Sequence, residues 1–183
     1  TAQGAKVIAF DVLFSEATEA DSDGYFSNAM REAGNVVLAE SHEYQETPAG
    51  IHESWIRPLQ QFVEASAASA IVKLPIDIDG AVRQAFLSFD SSTQERFLPA
   101  FSYAILDLFL KKTANTKQQD HISTVQLQSL FGNTEPILIN YSGPPRSIPT
   151  VSYYQAIEPE TYLSKGFFKN KIVLVGLSLT ATV

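Results

Sequence analysis

The segment Lys6–Phe14 (Lys-Val-Ile-Ala-Phe-Asp-Val-Leu-Phe) is apolar at odd and even positions alike, with Asp11 as its one acid. A strand with one wet face alternates polar and apolar residues, because successive side chains point to opposite sides. A run apolar at both parities needs cover on both faces, which is the condition of a strand inside a parallel sheet flanked by helices. That feature narrows the fold to the α/β class. Lys171–Gly176 (Lys-Ile-Val-Leu-Val-Gly) repeats the pattern and ends in Gly, as the last strand of such a sheet. Val36–Ala39 and Pro136–Tyr141 read as further buried strands, the latter ending in polar Asn140.

Between the first two strands, Phe26, Ala29, Met30 and Ala33 have the i, i+3, i+4, i+7 spacing of a helix with one buried stripe. Asp21 and Asp23 offer N-caps, and Gly34-Asn35 supplies the stop. Strand, helix and strand in succession predict a βαβ unit with a right-handed crossover. A second helix is expected over Phe97–Lys112, with Pro99 in its first turn and Phe101, Ala104, Ile105, Leu108 and Phe109 buried. Short helices are expected at Leu59–Ala65 and, capped by Ser152, at Tyr153–Ile157. Ser41–Pro58 and Thr113–His121 are polar and read as loops, the former long enough to be functional or mobile. The reading is one domain over residues 1–183, with a mixed, mostly parallel sheet flanked by helices and an inserted antiparallel ribbon.

The ribbon is expected around Ile76–Arg83 (Ile-Asp-Ile-Asp-Gly-Ala-Val-Arg). Asp-Gly is turn chemistry, with Gly80 free to take positive φ. Ile71–Leu74 and Val82–Phe89 would be its two strands. Arg83 would then share an apolar face with Ala85, Leu87 and Phe89, where a guanidinium must find a carboxylate. Asp79, Asp77 and Asp11 are the candidates. Either Asp79 and Arg83 form a structural pair, or Arg83 grips a small carboxylate or phosphate in a bidentate clamp. Asp11 is either a ligand-site group at the carboxyl end of the sheet or a buried acid paired with backbone or Arg83.

Several chemistries lack their signatures. Lys and Arg number 13 against 20 Asp and Glu, for a net charge of −7. No basic run provides the footprint of nucleic-acid binding. With no cysteine, disulfides and Cys-ligated metals are out. His42, His52, Glu43, Glu46 and Glu53 lack any metal-ligand spacing and read as a solvated loop, with Trp55 anchoring it. No metal or cofactor is expected. Serine hydrolysis has no Gly-x-Ser-x-Gly elbow. Asp77-Ile-Asp-Gly looks like the nucleophile motif of magnesium-dependent, haloacid-dehalogenase-type phosphatases, but Ala81 stands where that motif wants Thr or Val, and no later acidic motif follows.

No apolar run approaches the ~20 residues of a membrane span. The chain starts at Thr1 and stops just past a strand, so it is read as an excised piece of something larger.

In their order, several segments resemble the CHASE two family, the second type of cyclase/histidine-kinase-associated sensory extracellular domains. They are Ile8–Phe14, Gly34–Ala39, Asp77–Arg83, Ile139–Gly143, Val151-Ser152 and Phe168–Gly176. The resemblance implies an extracytoplasmic input domain of a membrane receptor. It would lie between membrane helices that lead to a cytoplasmic cyclase, histidine kinase or protein kinase, and would detect an unidentified small-molecule or environmental signal without catalysis. The alternative is a structural or dimerisation module; a phosphatase ranks third. The ligand-site candidates are Asp11, Asp79, Arg83 and Asn140, with Asp77, Gly80 and Gly176 as structural motif residues. If the first and last strands are neighbours, both chain ends are expected to leave from one region.

Overall fold

The computed structural model describes residues 3–48, 50–91, 96–113, 134–144 and 147–177. In chain order the elements are β1 (Val7–Asp11), α1 (Ala20–Ala33), β2 (Val36–Thr47), β3 (Gly50–Ile56), α2 (Gln60–Ala65), β4 (Ala68–Ile71) and β5 (Gln84–Ala85). They continue with β6 (Ser88–Ser91), β7 (Arg96–Pro99), α3 (Phe101–Thr113), β8 (Ile137–Leu138), α4 (Tyr153–Ile157), α5 (Pro159–Tyr162) and β9 (Ile172–Gly176).

The four parallel strands lie side by side as β4-β2-β1-β9, and β3 adds antiparallel to the far half of β2. Odd and even residues of the central strands do what their parity demands. Val7, Ala9, Val37 and Ala70 pack with Ala104 and Ile105 of α3 on one face. Ile8, Phe10, Val36 and Leu38 pack with Met30 of α1 and Phe62 of α2 on the other. Phe10, Phe14, Phe26 and Phe62 close that second layer with tilted and edge-on contacts, 5.1 to 6.0 Å between centroids. Such aromatic pairs add about 0.5–1.5 kcal/mol each beyond burial. The expected single α/β domain with a mixed, mostly parallel sheet is present. Among the described residues its antiparallel parts are three separate pairs: β2–β3, β5–β8 and β6–β7.

Local signals were realised with shifts of a few residues. Gly34 ends α1 in the left-handed region at φ +57°, its N–H donating to Met30. Asp21 and Asp23 are not N-caps. Glu19 is the capping position, and Asp23 in the first turn accepts the backbone N–H of Thr18 at 3.1 Å and its hydroxyl at 2.6 Å. The buried stripe of α3 holds, but the helix starts at Phe101, and Pro99 lies in β7 opposite Ser88. At α4 the side chain of Gln155 accepts the N–H of Ser152.

Expectations that depended on long-range pairing changed more. The first strand stops at Asp11, and Phe14 turns back into the aromatic cluster. Ser41–Pro58 is not a loop: most of it is the hairpin of β2 and β3, paired from Ser41↔Ile56 to Thr47↔Gly50. The ribbon around Ile76–Arg83 does not form. Ile71 instead ends β4 in the main sheet, and β5 pairs with β8. The segment Pro136–Tyr141 contributes only the two-residue β8, whose side chains are exposed. The Thr113–His121 expectation lies, beyond Thr113, outside the described residues.

β1 and β9 are neighbours, in register from Val7↔Ile172 to Asp11↔Gly176. They are parallel, however, so the chain reaches β1 at one end of the pair and leaves β9 at the other, about 16 Å away for a five-residue strand. The expectation of a common exit region is corrected on that ground. Among the described residues β9 is an edge strand. Ile172 and Leu174 lie on the α3 side, beside Val7 and Ala9, and are 38% and 65% exposed.

Candidate functional site

The acid–glycine turn forms as a closed unit. Gly80 (φ +80°) donates to Asp77 O at 2.8 Å, and the Asp77 N–H donates to Ala81 O at 2.8 Å. The Ala81 N–H reaches the Asp79 carboxylate at 3.1 Å. Arg83 grips Asp79 with both η nitrogens, at 2.9 and 2.7 Å, and reaches Asp77 at 2.6 Å. Arg83 and the adjacent Ala81 N–H hold the Asp79 carboxyl below its ordinary value, and the two acids push the Arg83 guanidinium up.

The pairing partners are the expected ones, but their setting is not. Arg83 and Asp79 are more than half exposed, and no apolar face surrounds them. Asp11 does not pair with Arg83. It is exposed at the carboxyl end of β1, beside Gly176, where an added Cβ would stand 3.3 Å from that of Asp11. It is therefore not a buried acid. Asn140 is exposed on the segment that pairs with the turn, through Ile139 N–H to Arg83 O and Tyr141 hydroxyl to Val82 O. Asp77, Asp79, Gly80, Arg83 and the Asn140 segment thus form one group, and Asp11 with Gly176 another. With the carboxylates of Asp77 and Asp79 both engaged by Arg83, and Asp77 following no strand, the turn lacks the setting of a phosphatase nucleophile.

A different cluster occupies the place where α/β sheets bind ligands, the carboxyl ends of parallel strands. Glu40 pairs with Ile71 at the ends of the parallel stretches of β2 and β4. Its carboxylate accepts the Ser69 hydroxyl and faces Arg57, with Nε 3.6 Å from Oε2. The Arg57 guanidinium lies 4.1 Å over the Trp55 ring, a cation–π distance. Trp55 stacks at 4.0 Å on His42, its cross-strand partner. Glu53 joins His42 Nε2 at 2.5 Å and accepts the indole N–H at 3.3 Å. Of these, Glu40, Ser69, Trp55 and Arg57 border a cavity of about 290 Å³ whose apolar wall includes Pro58, Val63, Ile71, Leu98 and Pro99.

None of these residues was a site candidate from sequence, where His42, Glu53 and Trp55 read as loop. His42 is in fact buried, 3% exposed. The usable signal was period two: Glu40-x-His42 on one strand and Glu53-x-Trp55-x-Arg57 on the next put all five on one face of a hairpin. Among the described residues no group of three His, Cys, Asp or Glu is placed to hold a metal ion. The cluster holds two opposite charges, Glu40 and Arg57, at the edge of this cavity.

Fold and cleft together define a three-layer α/β domain with a polar-rimmed pocket above its parallel strands. Residues 1–182 match the model of the CHASE2 domain, essentially the whole chain, and the protein belongs to that family. CHASE2 is a family of extracellular sensory domains. No curated protein and no solved structure matches the chain. Among the described residues no helix is long and apolar enough to cross a membrane.

Proposed function

We propose that this domain is the extracytoplasmic input module of a transmembrane signalling receptor with a cyclase, histidine kinase or protein kinase effector. It works by binding rather than by catalysis, and it transmits across the membrane through segments continuing from β1 and β9. The observation that carries this reading is the five-residue parallel register of β1 and β9 within the sheet that also bears the cleft. A signal that shifts β2 against β1 displaces the β1–β9 pair, and with it the chain on both sides of the domain. Packed sheets favour such discrete rearrangements over continuous deformation.

Cysteines at Ala9 and Val37, Cα partners in β1 and β2, test the relay by locking the two strands said to shift. The spacing of neighbouring strands, about 4.8 Å, falls within the range of a disulfide, and the chain has no cysteine to interfere. Oxidation is expected to freeze effector output of the intact receptor in one state, with reduction restoring the response. A formed crosslink that leaves the response intact would rule the relay out.

The second reading, an assembly module pairing receptor chains, is favoured by the exposed Ile172, Leu174 and Leu177 on and beside β9. Sedimentation of the domain with and without Leu174→Glu decides it: a dimer abolished by the charge supports assembly.

A further inference from the structure

We infer that the cleft at the ends of β2 and β4 binds a small zwitterion with an aliphatic body, of the α-amino acid type. Arg57 takes the carboxylate and Glu40 the ammonium group. The inference rests on the sensing reading only for its consequence; the binding chemistry stands on the cleft itself.

Arg57 is held in place by its stack on Trp55, yet it makes no hydrogen bond among the described residues. Its approach to Glu40, at 3.6 Å, is an ion-pair distance too long for one. A planar guanidinium positioned by an aromatic ring with its N–H fork unengaged is built for a carboxylate. Glu40, only 13% exposed, uses one oxygen on the Ser69 hydroxyl and leaves the other facing Arg57. A simple anion entering here meets the charge of Glu40, and a simple cation meets that of Arg57. A molecule carrying both signs on one carbon satisfies both and takes over the loose internal pair.

The remaining wall combines apolar residues, including Ile71 and Leu98, with the uncharged polar groups Gln60 and Ser69, and adds no further charge. A cavity of about 290 Å³ sits at the small end of the range for ligand sites, roughly 300–1,000 Å³, so it suits one metabolite and not a peptide.

The test is calorimetric titration of the domain with L-leucine, its deaminated analogue 4-methylpentanoate and its decarboxylated analogue 3-methylbutylamine. Fluorescence of Trp55, the chain's single Trp, is read in parallel. Leucine is expected to bind more than about tenfold tighter than either half-molecule and to change the Trp55 emission. Arg57→Ala should weaken leucine on the order of 10- to 100-fold, the loss of charge-assisted hydrogen bonds, with Arg57→Lys in between. Glu40→Gln, which keeps an acceptor for Ser69, should weaken leucine and not 4-methylpentanoate. If Glu40→Gln does not fold, Arg57→Ala and the two analogues still decide, because Arg57 is half exposed. Equal affinity for leucine and either analogue, binding indifferent to Arg57→Ala, or no binding of leucine, valine or alanine overturns the inference and leaves the sensing reading standing. Leucine binding that leaves effector output of the intact receptor unchanged overturns the sensing reading and leaves the site.

Discussion

Leu38 is the sharpest probe of the layered core. It is fully buried in β2, packed with Met30, Val36, Phe62 and Ala65. Its backbone is flanked by β1 at Phe10 and by β4 at Ser69. With strands on both sides and two helices above, the site has little freedom to collapse around a shortened side chain. Leu38→Ala should therefore fall in the middle of the range for such cavities, about 3–4 kcal/mol. In a chain of this length each kcal/mol moves Tm by about 2–4 °C, so a drop of about 6–16 °C is expected. Leu174→Ala removes the same atoms from a side chain that is 65% exposed on β9. Only about a third of a transfer energy of roughly 2–3 kcal/mol is at stake there, so the loss is about 1 kcal/mol at most. Differential scanning calorimetry of the two variants, with urea unfolding to confirm an unchanged m-value, measures the contrast. Equal losses at the two positions, or a Leu38→Ala protein as stable as wild type, would refute the argument.

Three further outcomes follow from local geometry. In a carboxyl-detected NMR titration, Asp79 should ionise below its ordinary value of 3.8 and move up toward it in Arg83→Leu, which leaves only the Ala81 N–H holding it down. Because the folded value is the lower one, the pair's stabilisation is complete above the ordinary value and is lost as pH falls through the folded value; being exposed, it is also screened by salt. An Asp79 titration identical in both proteins would show that the pair does not persist in solution. Asp23→Ala strips both acceptors from Thr18 at the start of α1 and should cost about 1 kcal/mol, seen as a Tm lowered by about 2–4 °C; no change would mean those two bonds are idle. At Gly34, φ +57° makes Gly34→Ala about 1 kcal/mol less stable by chemical denaturation and Gly34→Asn milder, since Asn tolerates that region; the reverse order contradicts the left-handed cap.

The candidate site was only half legible. Asp77, Asp79, Gly80 and Arg83 lie within seven residues, so a turn and its bidentate pair could be read from adjacency alone. Their exposure could not, because it depends on which distant strand covers the turn, and β8 covers little. Glu40 and Arg57 meet across a mostly polar hairpin in which no regular hydrophobic alternation marks the strands, so only the spacing of its charged and aromatic residues hinted at them. His42 looked solvated because nothing in its neighbours announces that Trp55 lies flat against it.

What the amino-acid order determined without help was the α/β class, the α1 stop at Gly34, the apolar stripe of α3 and the acid–glycine turn. Each is written in capping, periodicity or turn chemistry that acts over a few bonds. What only the folded chain decided was the β2–β3 hairpin, the parallel sense of β1 and β9, the bareness of β9's outer face, and the meeting of Glu40, Arg57 and Trp55. These depend on backbone hydrogen bonds between strands, and a peptide N–H or C=O is the same whatever side chain it carries. Which strand it joins, and in which direction, is settled only when the layers close on one another.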